Sequence, residues 1–180
     1  ETFGVVRLRR PVLNAFSSAG GMVTSRLGAD GRHNTAIGLD GVFRLFGDDY
    51  LVVSAAAASD AGLRGVGPAA SRLHARWERR TAAGAGYTLR LDRAGAAYDP
   101  GVGFERRSAY TRFGDAVWYG WLPAGGSALA RHYVAVPAIV YLRNADGTME
   151  SAETGLEWEG VFRNGTEVFV TLLRYWDDLR

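Results

Sequence analysis

The chain has 180 residues, with 21 basic side chains (every one an arginine) against 19 acidic ones for a net charge of +2, and it is 47% hydrophobic and 22% charged. That composition excludes an intrinsically disordered segment, and the near-balanced charge supplies no field for holding a polyanion, so nucleic acid is not an expected partner. The absence of cysteine excludes disulfides, thiol catalysis and thiolate metal sites, and no apolar run approaches the ~20 residues of a membrane helix, so membrane residence could only be as a barrel.

The length suits a single domain over residues 1–180, or a fragment of one. The chain opens at Glu1 without an initiator methionine and closes at Asp177-Asp178-Leu179-Arg180 in what reads as mid-strand, so a fragment is the expectation. Period-2 alternation between turns rich in Gly, Asn and Asp recurs from end to end, which predicts strands rather than helices. The first strand is predicted over Phe3 to Arg9 and the second over Gly21 to Arg26, followed by a turn over 27–32. The third, Thr35 to Phe46, sets Thr35, Ile37, Leu39, Phe43 and Leu45 on one face and Asn34, Asp40 and Arg44 on the other. Gly47-Asp48-Asp49 turns the chain into Tyr50 to Ser59, and a glycine-rich loop runs from Asp60 to Pro68. The fifth strand, Ser71 to Arg80, has Leu73, Ala75 and Trp77 on one face and Arg72, His74, Arg76, Glu78 and Arg80 on the other. The chain then returns with Tyr87, Leu89 and Leu91 opposite Thr88, Arg90 and Asp92.

Asp99-Pro100-Gly101 is a β-turn signal, Pro setting φ at the second position and Gly accepting positive φ at the third. Phe104 to Leu122 is predicted as one long strand, bent near Gly114-Asp115 and ending in Trp118, Tyr119 and Trp121. Leu129 to Arg143 places Arg131, Tyr133, Tyr141 and Arg143 opposite an apolar face, and Glu150 to Arg163 places Glu153, Glu157 and Glu159 opposite Leu156 and Trp158. Asn164-Gly165 is a strong hairpin signal before a last strand, Glu167 to Trp176.

The fold expected is all-β: an antiparallel up-and-down meander of about ten long strands, part of a transmembrane β-barrel. Alternation alone does not separate this from a soluble sandwich or barrel with the apolar face turned inward. Strand length, Trp and Tyr near strand ends, and the uninterrupted succession of hairpins favour the membrane form.

Three stretches carry a family resemblance: Asn34 to Phe46, Tyr98 to Arg107, and the acidic strand Glu153 to Glu159 with Asn164-Gly165 after it. Together they resemble the C-terminal barrel domain of uncharacterised bacterial outer-membrane proteins whose N-terminal part is a family-9-type carbohydrate-binding module. That family has an Asn-x-x-x-Gly-x-Asp strand, matched by Asn34, Gly38 and Asp40, then a serine-bearing strand, here Ser54 or Ser59. A Phe-Asn-Pro-Glu-x-Gly-Phe-x-x-Arg turn follows, and here Tyr98, Asp99 and Gly101 replace its Phe, Asn and Glu while Pro100, Gly103, Phe104 and Arg107 match. The resemblance implies a bacterial outer-membrane location, outer-membrane lipid as partner, carbohydrate contacted through a separate N-terminal module, and no catalysis.

The residues expected to face a watery lumen are Asp40, Arg44, Arg72, His74, Arg76, Glu78, Arg131, Glu153, Glu157 and Glu159, the three glutamates paired with Arg131, Arg143 or Arg163. The glutamates could in principle do acid/base work, but a solvated lumen face explains them as well. Three scattered histidines lack ligand spacing, so neither metal nor cofactor is expected. The competing reading is a soluble β-domain that binds carbohydrate through exposed aromatics such as Trp118 and Trp121.

Overall fold

The computed structural model describes residues 1–60, 67–102, 105 and 107–179. Among the described residues there are ten strands: β1 (Thr2–Pro11), β2 (Ser18–Leu27), β3 (His33–Phe46), β4 (Asp49–Ser59), β5 (Ser71–Arg79), β6 (Gly84–Ala94), β7 (Tyr110–Trp121), β8 (Leu129–Arg143), β9 (Met149–Phe162) and β10 (Glu167–Asp177), with a 3₁₀ turn at Pro68–Ala70. They form a single sheet in sequence order, each pairing antiparallel with the next. The sheet is not closed: β1 and β10 are its edges.

Register explains why the alternation reads through every hairpin. Asp40 stands opposite Ser54, Ser54 opposite His74, His74 opposite Asp92, Asp92 opposite Arg112 and Arg112 opposite Tyr141, so one row of polar residues crosses six strands on one face. The row one step along the chain carries Leu39, Ala55, Leu73, Arg93 and Thr111 on the other face.

The polar face is concave. One cavity of about 660 Å³ touches Met22 on β2 and Tyr141 on β8. Seven flat strands at ~4.8 Å spacing would separate those residues by roughly 29 Å, so the sheet must curl around the cavity. The β6–β7 connection folds into that concavity as well.

What is buried inverts the usual globular pattern. The buried apolar residues are Ala36, Ala58, Ala70, Ala94, Ala135 and Tyr110, whereas Asp49, Asp92 and Arg112 are also buried. Large aliphatic side chains on the convex face stand open, Leu39 at 67%, Leu73 at 46% and Leu156 at 51% exposure. The convex face also gathers aromatics toward the ends of β5, β6 and β7, with Trp77 edge-on to Tyr87 at 5.4 Å and Tyr119 beside Trp121 at 4.8 Å.

The bend expected near Gly114 is present, with Gly114 at φ +101°. A Cβ there would run into the Ala138 carbonyl, and the kink lets the Asp115 carboxylate come within 3.5 Å of Arg112 instead of standing open on the apolar face. Gly114→Ala is expected to cost about 1–3 kcal/mol, read as a lowered urea midpoint in detergent micelles, and an unchanged midpoint would show that the strand relaxes freely.

Two boundaries differ by three residues or more from the sequence expectation: β2 begins at Ser18 rather than Gly21, its first residues pairing with both β1 and β3, and the larger difference is at β7. β7 begins at Tyr110 rather than Phe104, because Ala109 takes φ +57° and because Glu105 and Arg107 turn away to make ion pairs in the connecting loop.

Candidate functional site

The larger polar network lies on the concave face, in two tiers, while on the other face the buried Asp49 is held by Arg79 at 2.9 Å and by the Tyr87 hydroxyl. The deeper tier is organised by Asp92 on β6, a fully buried carboxylate. Its Oδ1 lies 2.7 Å from His74 Nδ1 and 3.6 Å from Arg72, while its Oδ2 accepts from Arg90 Nε at 2.5 Å and lies 3.9 Å from Arg112. Four basic groups from β5, β6 and β7 thus converge on one acid, an arrangement that period-2 alternation makes possible by stacking inward residues of neighbouring strands ~5 Å apart.

The second tier is the β6–β7 connection, which roofs the cavity. Glu105 meets Arg72 Nε at 2.6 Å, and Arg107 reaches Glu150 at 3.5 Å and Ser151 at 3.1 Å on β9. On the opposite side Asn34 Nδ2 donates to the Asp99 carbonyl at 3.0 Å and to Asp60 at 2.8 Å. Gly101 has φ +60°, and a Cβ there would strike the Asn34 amide. The Asn34-to-Asp40 strand and the Tyr98-to-Arg107 turn, remote in sequence, therefore touch. Asp99 Oδ1 accepts from the Gly101 amide at 3.1 Å, as its turn chemistry requires, and burial pushes the Tyr98 phenol up. Pro100 lines the cavity. Gly103 and Phe104 lie outside the described residues.

All ten residues expected to face the lumen share the concave face. Asp40 binds Arg7 of β1 through both oxygens at 2.9 and 3.0 Å. Arg44 lies 4.5 Å from the Phe16 ring centroid and 3.6 Å from Asp48. Arg76 and Glu78 pair at 3.0 Å, and Glu78 also takes Arg80 at 2.7 Å. Glu159 accepts from Arg131 at 3.2 Å and from the Tyr133 hydroxyl at 2.7 Å.

One detail corrects the sequence reading, and a second bears on the aromatics named in the competing one. Only Glu159 of the three glutamates has its arginine: Arg143 is taken by Asp178 at 3.1 Å and Arg163 by the turn carbonyls of Pro123, Ala124 and Ser127, which leaves Glu153 and Glu157 without an ion pair or hydrogen bond among the described residues. Trp118 and Trp121 lie on opposite faces, Trp118 opposite inward Gly86 and Trp121 stacked on outward His132 at 4.9 Å, so they cannot form one platform.

Sequence reasoning missed Asp92, Asn34, Glu105, Arg112 and Arg7 as partners at the centre of these networks. The turn over Thr81 to Ala83 places His74 opposite Asp92, so that pair was available from register alone. Ser54, His74 and Asp92 stand in cross-strand sequence, the residue types of acyl transfer, but no hydrogen bond joins Ser54 to His74 among the described residues. No group of three or more His, Asp or Glu side chains placed to hold a metal ion occurs among the described residues. Comparison of the chain with protein-family models, with curated proteins and with solved structures finds no match in any of the three.

Proposed function

We propose that this chain is a segment of a bacterial outer-membrane β-barrel, serving as the membrane anchor or pore of a larger carbohydrate-associated envelope protein and carrying out no catalysis of its own. The observation that carries the reading is the inverted distribution of polarity. Most of the charged residues line the concave face around a cavity, while leucine, valine and aromatic side chains cover much of a convex face that no other element packs against among the described residues. In water that convex face would be a cost at ~25 cal/mol per Å² of apolar surface, and against hydrocarbon it is the stable arrangement. The strands support this: β1 to β10 run from 9 to 15 residues, at or above the ~9–11 needed to cross a bilayer at a tilt. Convex aromatics near the strand ends suit the headgroup region. The resemblance of the Asn34 and Tyr98 stretches to an outer-membrane barrel domain implies the same reading.

The concave polar network is read here as the lumen wall. Its ion pairs hold the β6–β7 connection across the cavity, which makes that connection a partial plug. The test is detergent dependence. The purified chain is expected to stay monodisperse and strand-rich in dodecylmaltoside or LDAO micelles and to aggregate on detergent removal. A monodisperse chain with a cooperative melt in plain buffer would overturn the membrane reading.

A further inference from the structure

We infer a saccharide subsite on the concave face, separate from the Asp92 network, in which the Trp118 indole stacks on one pyranose ring of a neutral oligosaccharide. Trp118 on β7 stands directly opposite Gly86 on β6, and a Cβ on Gly86 would run into the indole. The missing side chain therefore lets the ring lie against the β6 backbone as a half-buried wall. Beside it is a cavity of about 330 Å³, bounded by the Thr81-Ala82 turn, Arg131, Tyr133 and Glu157. The volume is at the small end of ligand sites, enough for a sugar unit and not for an extended chain.

Three features select the ligand class. An aromatic face carries partial negative charge, which the C–H face of a pyranose complements. Glu157 has no ion pair or hydrogen bond among the described residues, and a free carboxylate offers acceptors in the geometry of two neighbouring hydroxyls. Arg131 and the Tyr133 hydroxyl are both held by Glu159, so the polar wall is fixed before any ligand arrives. Two carboxylates against one guanidinium disfavour a uronate or a sugar phosphate. The Trp118 and Tyr133 rings with Glu157 could also meet a quaternary ammonium, which Arg131 in the same lining opposes, and choline is the contrast that separates the two. The inference uses only the concave face and does not depend on the membrane reading.

The test is calorimetric titration of the full chain, in whichever of micelles or buffer keeps it monodisperse, with maltohexaose, cellohexaose and chitohexaose, and with hexagalacturonate and choline chloride as contrasts. At least one neutral oligosaccharide is expected to bind saturably. Trp118→Ala and Glu157→Gln are each expected to weaken it about tenfold or more, the size of a lost stacking face or a lost charge-assisted hydrogen bond. Glu157→Gln removes no internal partner and keeps the side-chain shape, so it decides the matter if Trp118→Ala does not fold. No binding of any neutral oligosaccharide by the unaltered chain, binding unchanged by Glu157→Gln, or binding of choline or the polyuronate in their place would each overturn the assignment.

Discussion

Asp92→Ala is expected to lower the unfolding free energy by about 3–5 kcal/mol, the usual consequence of removing one member of a buried ion pair and leaving its counter-charges behind. Asp92 is fully buried and faces His74, Arg72, Arg90 and Arg112 at 2.7, 3.6, 2.5 and 3.9 Å. Arg112 is itself buried, and without the carboxylate its charge would keep Asp115 at 3.5 Å and the Gly114 carbonyl at 3.2 Å. The three arginines would then repel one another across adjacent strands. Arg72 still has Glu105, which limits the damage on the roof side of the cavity. The matched comparison is Asp40→Ala. Asp40 is equally central in sequence and binds Arg7 through both oxygens, but the pair is 30% and 48% exposed, so its removal is expected to cost no more than about 1 kcal/mol. Urea unfolding in micelles followed by tryptophan fluorescence separates the two. Equal midpoints for both variants would show that the Asp92 network is solvated and that burial does not set its strength.

The contrast shows which parts of the molecule were legible in the sequence. Asp40 and Asp92 have the same local signal, a single acid on the polar face of a strand, and nothing in either strand tells how many cations its neighbours will bring. Face assignment was legible because side-chain direction in a strand depends only on parity, and parity is carried intact through tight turns such as Asn164-Gly165. The strand order was legible for the same reason, since short hairpins leave no alternative neighbour. The longer β6–β7 connection breaks this chain of inference. Its residues alternate in type as a strand would, so Phe104 to Leu122 reads as continuous, yet Ala109 is left-handed and Glu105 and Arg107 are spent on Arg72 and Glu150. Those contacts depend on sheet curl, a property of the whole assembly that no local pattern encodes. Curl also decides the pairing of the glutamates: Arg143 and Arg163 have the right parity for Glu153 and Glu157 but lie at strand ends, where Asp178 and turn carbonyls reach them first.

Curl leads to the sharpest test of which face meets what. Leu156→Arg is expected to destabilise the folded chain in a bilayer by about 2–4 kcal/mol if it sits near the midplane, because a guanidinium on the convex face would have to be drawn out of water. Leu156 is 51% exposed and its cross-strand neighbour Leu172 is 69% exposed, and the acid on their row, Asp49, stands five strands away on β4, where Arg79 holds it at 2.9 Å. Leu73→Arg on β5 tests the same face on the far side of the sheet, where Leu73 is 46% exposed. The control is Ser54→Arg, which points into the concavity directly opposite Asp40 and is expected to change stability by less than about 1 kcal/mol. Folding into dilauroyl phosphatidylcholine vesicles, followed by urea titration and the gel shift between boiled and unboiled samples, reads all three. In a soluble protein the ranking would reverse, since an arginine at an exposed leucine position costs little in water while a charge added within a packed concave face disturbs it. Leu156→Arg and Leu73→Arg folding as well as the unaltered chain, with Ser54→Arg impaired, would place water rather than lipid against the convex face.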